Sequence, residues 1–346
     1  IYTYDDKKEG STRQGNLILD VQEIRSTAGF YSSGVAVQQV VATYTDESKS
    51  KLIDVKVIDN SDVDVSGNVG HSVVTKYSSW TISSEGAQIV IDLESAVDRQ
   101  TIDTSLFDNR GNAVSQVIVK EAYLNGDFQF TQKQDITNDP CDFHDRTSHS
   151  VIVSSAWDKN PATLIFGWKF TDQQDVYTDV FDRWGNSIAQ RVDTQVKDDS
   201  GTLVFKDHKV IINVYGSLVA ARRGNATETT VIRYSDIAAT KDTPTPVLDG
   251  DGNIIGYTYE ELKADKRIDR TVTTTDPADF DERGYAKKQT SFTYVVDTDG
   301  VEKLATKRVS ENEDIDNRGD AARQYITTRT TDASGDESSL EVTSYQ

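Results

Sequence analysis

Phe107-Asp108-Asn109-Arg110-Gly111-Asn112-Ala113-Val114-Ser115-Gln116 decides how this chain folds, because the pattern returns. It returns at Phe181-Asp182-Arg183-Trp184-Gly185-Asn186-Ser187-Ile188-Ala189-Gln190, at residues 280–289 and at residues 315–324. Residues 30–39 are an earlier copy without the Asp. The consensus is aromatic-Asp-x-x-Gly-x-small-x-x-Gln. Weaker copies fill the gaps at Gly70-His71-Ser72, at residues 145–150 with Ser148 for Gly, and at Gly224-Asn225-Ala226. The anchors then run Gly34, Gly70, Gly111, Ser148, Gly185, Gly224, Gly284 and Gly319. Most steps are about 35–41 residues, within the period range of repeat architectures. The longer step, Gly224 to Gly284, holds an insertion around Thr243-Pro244-Thr245-Pro246.

A second turn follows inside the repeat. Sixteen residues after their anchors stand Gly86, Gly201, Gly300 and Gly335, with Gly126 at nearly the same offset. Asp-Gly and similar pairs between alternating runs signal hairpins. The runs do alternate: Phe292, Tyr294 and Val296 share one face, Ser291 and Thr293 the other, and Leu340 and Val342 alternate with Glu341 and Thr343. That period of two is a strand's. One such hairpin cannot bury its own apolar face and must stack on its neighbours. The expected fold is all-β, a tandem array of one-hairpin repeats of about 37 residues in an elongated or spiralling sheet or solenoid. The expected organisation is a partial repeat over residues 1–29, then repeats at 30–65, 66–106, 107–143, 144–180, 181–219, 220–279 with the insertion, 280–314 and 315–346. The best short helix candidate is residues 259–266, which hold Glu, Leu, Lys and Ala without Gly or Pro.

Each consensus residue has an expected task. The Gly takes a positive φ without a Cβ penalty. The Asp accepts backbone N–H groups across the turn. The aromatic covers the turn, and the small residue admits a neighbouring strand. The Gln bonds to backbone or to the next repeat's Gln, or is simply solvated.

Composition agrees with a thin array. Of 346 residues, 36% are apolar, below the roughly 45–50% of average chains, a range that also counts Gly. Val, Ile, Tyr, Phe and Thr suit a pleated, half-buried surface. The net charge is −20, which argues against nucleic acid and anionic membranes, since a phosphate backbone needs Lys and Arg. No apolar stretch nears the roughly 18 residues of a membrane span, so no membrane insertion is expected. The acidic surface serves solubility and can attract divalent cations. Cys141 is the only cysteine, so no internal disulfide is possible. No signal peptide opens the chain and Met is absent, which reads as a processed product or an internal piece.

The aromatic-Asp-x-x-Gly core at residues 107–111, 181–185 and 280–284, with Tyr4-Asp5 near the start, resembles the YD repeats of the RHS family. The resemblance implies long spiralling β-hairpin sheets in large secreted or surface proteins, some of which wrap a toxin. This chain departs from it in a nearly doubled period, in Phe for Tyr, and in lacking a match to the family's terminal core segment.

Chemical motifs are sparse. His144 and His149 lie near Cys141 and Asp145, but Cys-x-x-His without a second cysteine is not a closed zinc set. No nucleophile elbow, P-loop, HExxH or dinucleotide fingerprint occurs, and no enzyme activity or organic cofactor is expected. Asp249, Asp251 and Asn253 offer oxygen ligands at alternate positions, and Glu260 falls at the twelfth, where a calcium loop places its bidentate carboxylate. Against this, Ile254 stands where that loop needs Gly, and Pro244 and Pro246 leave no entering helix. Asp62-Val63-Asp64-Val65-Ser66-Gly67 has early ligands but Val73 at the twelfth position. Both segments read equally well as hairpin turns. Asn225-Ala226-Thr227 is a lone glycosylation sequon.

The leading expectation is a structural repeat protein of the cell surface or of an extracellular filament, self-assembling end to end. The alternative is an adhesin-like module binding glycan or a partner surface. An exposed aromatic row along one face discriminates in favour of glycan. A polysaccharide lyase ranks last, because Lys and Arg are scattered.

Overall fold

In a computed structural model the described residues are all except 1, 5–7, 10–11, 14–17, 46, 83–88, 160–163, 282–283, 298–299, 316–320, 332–336 and 346. The turn at Gly319, the second turns at Gly86 and Gly335, and Asp5 lie outside them. The chain is all-β and every described pairing is antiparallel. It divides into two units, Ile1–Asp145 with Val151–Asp172, and Arg146–Ser150 with Gln173–Gln346.

The strands of the first unit are β1 (Tyr2–Tyr4), β2 (Lys8–Glu9), β3 (Thr12–Arg13), β4 (Ile18–Ser26), β5 (Gln38–Tyr44), β6 (Leu52–Val63), β7 (Val69–Tyr77), β8 (Trp80–Ile82), β9 (Ile89–Ile91), β10 (Ala96–Phe107), β11 (Ala113–Leu124) and β12 (Asp127–Asn138). β13 (His149–Lys159) and β14 (Phe166–Phe181) each contribute to both units. The second unit continues with β15 (Ser187–Lys197), β16 (Leu203–Val214), α1 (Leu218–Arg223), β17 (Glu228–Tyr234), β18 (Thr245–Leu248), β19 (Ile254–Thr258), β20 (Arg267–Thr274), β21 (Lys288–Val296), β22 (Glu302–Ile315), β23 (Ala321–Thr331) and β24 (Glu337–Tyr345). Within each unit consecutive long strands pair as a meander, interrupted by the short hairpins β8–β9 and β18–β19.

The repeat motif is a five-residue turn. In the copy from Asp108 to Asn112, the Gly111 N–H donates to the Asp108 carbonyl at 3.1 Å and the Asp108 N–H to the Asn112 carbonyl at 2.8 Å. The Asp108 carboxylate accepts the N–H groups of Arg110 and Asn112 and the Asn112 amide, at 2.8, 2.9 and 3.0 Å. Gly111 has φ of 87°, the left-handed conformation that only Gly adopts cheaply. Residues 182–186 repeat the arrangement. So do residues 64–68, which moves that copy's turn glycine from the expected Gly70 to Gly67. Near residue 145 the expected register also shifts. Asp142 takes the Asp place and Asp145, at φ of 62°, takes the Gly place, rather than Ser148. The second turns Gly201 and Gly300 close with the same geometry, whereas Asn125-Gly126 forms a two-residue hairpin loop with both φ values positive.

The small residue and the Gln do more than expected. The small residue pairs across the hairpin with the aromatic, as in Phe107↔Ala113 and Phe181↔Ser187. Its carbonyl then accepts an Asn amide from the following strand: Asn60 to Ala36, Asn138 to Ala113 and Asn213 to Ser187 at 3.0 Å, and Asn312 to Ala286 at 2.9 Å. Gln116 and Gln190, half-buried, donate to Thr104 and Thr178 at 3.1 and 3.0 Å rather than to another Gln. Asn60, Asn213 and Asn312 also accept from Ser72, Thr229 and Gln324, so each ties the end of the preceding repeat turn to the strand that follows its own. Adjacent turns abut as well. Asn68 lies against Gly111 in the first unit, and Asn225 stands 3.0 Å from where a Cβ on Gly284 would sit in the second.

The core exists where a hairpin folds back over the sheet. In the first unit Val40, Tyr44, Val55, Val57 and Tyr77 are buried beneath Trp80 and Ile91 of β8–β9. In the second, Ala189, Val210 and Tyr234 are buried with Ala239 and Tyr259 of the insertion. Full burial of such side chains is worth about 1.5–3 kcal/mol each.

The expected helix at residues 259–266 shrinks to the 3-10 turn Ala264–Lys266, because Tyr259 is drawn into this core and donates to Asp179 at 2.6 Å. The described α-helix is instead α1, with Ser217 as N-cap and Gly224 as left-handed C-cap, so Gly224 is not a hairpin anchor. The signals for α1 are in the sequence: Ser before, Gly after, and Arg222 and Arg223 in the last turn.

Candidate functional site

Three places in the described structure differ from plain strand and turn. The first is the loop read as a calcium site. Asp249 and Asn253 close the tip of β18–β19 with the repeat's own turn: the Asp249 carboxylate accepts from the N–H groups of Asp251 and Asn253, at 2.9 and 2.8 Å, and from the Asn253 amide. These bonds, that of the Asn253 amide foremost, hold its carboxyl below the ordinary range. Glu260 lies beyond β19, paired with Lys241. Among the described residues no three His, Cys, Asp or Glu side chains gather as a cation-holding group. Asp62 and Asp64 are likewise divided, Asp64 in its turn and Asp62 in β6. His149 stacks on Tyr177 at 4.4 Å and faces Asp175 at 3.7 Å, while His144 packs on Phe143.

The second place is the ground beside each folded-back hairpin. In the first unit a cavity of about 740 Å³ lies between Arg25, Gln38, Asp59, Tyr77, Ile91 and Leu93. Its polar groups are matched internally, Arg25 to Glu23 and Gln38 to Asp59 at 2.6 Å. In the second unit an apolar groove of about 420 Å³ is lined by Phe181, Trp184, Ile212, Tyr215, Ile255 and Tyr257. Near it runs a hydroxyl–imidazole–carboxylate series. His208 Nε2 is 3.0 Å from Thr240 Oγ1 and its Nδ1 is 2.6 Å from Asp193 Oδ1. His208 is 2% exposed, which leaves no face for a substrate. The series ties the insertion to β15 and β16.

The third place is a cluster of aromatic side chains in the first unit. It is carried by β11 (Tyr123), β12 (Phe128 and Phe130), β13 (Trp157) and β14 (Phe166 and Trp168). Tyr123 meets Phe128 edge-on at 5.1 Å, and Phe128 and Phe130 share a face of β12. Phe130 lies 5.1 Å from Trp157 and 5.5 Å from Trp168, and Trp157 meets Trp168 edge-on at 5.0 Å. Phe166 lies within 16° of parallel to Trp157 at 6.5 Å. Phe130, Phe166 and Trp168 are 43%, 55% and 36% exposed. Arg99 covers Phe128 at 4.2 Å and pairs with Glu121 through two hydrogen bonds. In the sequence these aromatics are indistinguishable from inward-facing strand residues; the asparagine staples had a legible signal, an Asn 24–26 residues after each small residue.

No family model and no curated protein matches the chain. Among solved structures it is similar to the Photorhabdus luminescens Tc holotoxin pore at 14% identity and a TM-score of 0.17, over 94% of this chain and 19% of that one. The chain thus spans about a fifth of the length of that relative, 19%. It is also similar to a porin-like protein from Bacteroides uniformis at 9% identity and a TM-score of 0.14, over 94% of both chains. No helix among the described residues is long and apolar enough to cross a membrane.

Proposed function

We propose that the chain is a structural β-repeat scaffold of the YD-repeat kind, working at the cell surface or in an extracellular filament and joining copies end to end. The observation that supports this most is the asparagine staple. Asn60, Asn213 and Asn312 each bind the small residue that closes the preceding repeat turn and the strand after, with side-chain bonds supplied by repeat positions. A hairpin from another copy can be added by the same contacts, and head-to-tail addition that does not close makes a filament. Light scattering and electron microscopy of the purified chain at micromolar concentration test the reading. Filaments or longer particles are expected; a monodisperse monomer at all concentrations rules the reading out.

A second reading, an adhesin-like binding module, is favoured by the partly exposed aromatic cluster on β11–β14. It predicts retention of the chain on glycan- or cell-coated surfaces, whether or not filaments form.

A further inference from the structure

We propose that Asn125 is a site of spontaneous covalent modification. Its side-chain amide is lost through a cyclic imide formed with the Gly126 backbone nitrogen, leaving aspartate or isoaspartate in the β11–β12 loop. Asn125-Gly126 is the one Asn-Gly pair in the chain. It forms a two-residue loop, with φ of 54° and 88°. Gly enters the left-handed region freely, and Asn is among the few other residues that visit it. The pair that builds this tight loop therefore also sets an amide carbon next to a backbone nitrogen whose own residue has no Cβ.

The reaction needs an accessible nitrogen, a free amide and room to turn. Residues 124–127 are exposed. Among the described residues neither the Asn125 amide nor the Gly126 N–H has a hydrogen-bond partner. Nothing lies within 4 Å of the place of a Cβ on Gly126. Attack requires rotation about the Asn125 Cα–C bond, out of the closed turn, and an exposed loop tip reaches open states at little cost in free energy. The asparagines of the repeat differ. The Asn112 and Asn186 amides donate to Asp108 and Asp182 at 3.0 and 2.8 Å, and the Asn60 amide donates to the Ala36 carbonyl at 3.0 Å. Ala113, Ser187 and Ser61 follow them, each with a Cβ beside the nitrogen that would attack.

In the first step the Gly126 nitrogen loses its proton and bonds to Asn125 Cγ, the Cγ–Nδ2 bond breaks, and ammonia leaves. Water then opens the imide. Breaking the bond from the nitrogen to Cγ gives aspartate; breaking the bond to the main-chain carbonyl carbon gives isoaspartate. No electrons are exchanged with any other group. Aspartate keeps the turn, because Asp also tolerates the left-handed conformation. Isoaspartate adds a carbon to the main chain, which no longer fits the two-residue geometry that pairs Leu124 with Asp127 and Tyr123 with Phe128.

The test incubates the full chain at body temperature and mildly alkaline pH, both folded and in guanidinium chloride. Peptide mass mapping and labelling by protein isoaspartyl methyltransferase follow the reaction. The folded chain is expected to lose the Asn125 amide progressively, with the mass gain of an amide-to-acid exchange and the methyl label in the same peptide. Peptides holding Asn60, Asn112 and Asn186 should keep their amides over that period. Gly126→Ala should suppress the conversion under both conditions, and the denatured arm reads this even where the variant folds poorly. Asn125→Asp should keep the parent's hydrogen exchange in β11 and β12, whereas the isoaspartate fraction should lose protection at their loop ends. Conversion in denaturant with none in the folded chain overturns the proposal, because the closed turn then protects Asn125. A mass gain without the methyl label signals direct hydrolysis and overturns the imide route, as does an unchanged rate in Gly126→Ala.

Discussion

At the residue scale the turn carries the argument. Gly185 and Gly284 have φ near 90°, at 88° and 92°, and Asn225 crowds the place of a Cβ on Gly284. Gly185→Val and Gly284→Val are each expected to destabilise by about 1–3 kcal/mol, as a β-branched residue is strained there. Thermal melts check this, and Gly284→Val should cost more because it also displaces Asn225. The turn carboxylates make a second prediction. Asp108 is held below the usual range by the Asn112 amide foremost, Asp64 by the Asn68 N–H and Asp198 by the Ser200 hydroxyl. A depressed carboxyl stabilises the fold above its unfolded value, about 3.9, and that stability is lost as pH falls through the lower folded values. The melting temperature should therefore drop steeply below about pH 4. Asp108→Asn should make that drop shallower, and an unchanged pH profile in this variant would contradict the assignment.

At the element scale the folded-back hairpins matter most. β8–β9 is short and makes a core only because Trp80 packs over β5–β7 and donates its indole N–H to the Tyr44 hydroxyl at 3.2 Å. Trp80→Ala should cost about 2–4 kcal/mol, below or within the range for large core truncations because Trp80 is half-buried. Hydrogen exchange should show the loss in β5, β6 and β7. The hairpin β18–β19 is closed by Asp249 and Asn253 as an ordinary repeat turn, and Glu260 is engaged by Lys241. Chelation at low salt should therefore leave the melting temperature unchanged. A clear drop would show a bound cation that stabilises by mass action.

For the molecule as a whole, charge opposes association. A net charge of −20 makes copies repel one another at low ionic strength. If copies join end to end through strand pairing, salt that screens this repulsion should promote filaments, with the main change between about 0.01 and 0.15 M, where the Debye length falls from about 30 to 8 Å. Scattering that decreases with salt would point instead to association through ion pairs.

The sequence by itself determined the all-β class, the hairpin repeat and the positive-φ turns at Gly111, Gly185 and Gly284, because turn chemistry and period-two patterning are local and act within a few residues. The register of weak copies was not local. Gly70, Ser148 and Gly224 were aligned by spacing, but backbone pairing places the turns at Gly67 and Asp145 and makes Gly224 a helix cap. The residues first read as a cation site were equally ambiguous in sequence, since the same Asp and Asn oxygens serve a turn or a metal; backbone N–H groups engage Asp249. Only tertiary structure decided the rest. Tyr259 left its helix pattern for the core, His208 found Asp193 and Thr240, and the aromatics of β11–β14 came together on an exposed surface. Those outcomes depend on which strands become neighbours and which face a folded-back hairpin covers, and both are set by contacts between residues far apart in the chain.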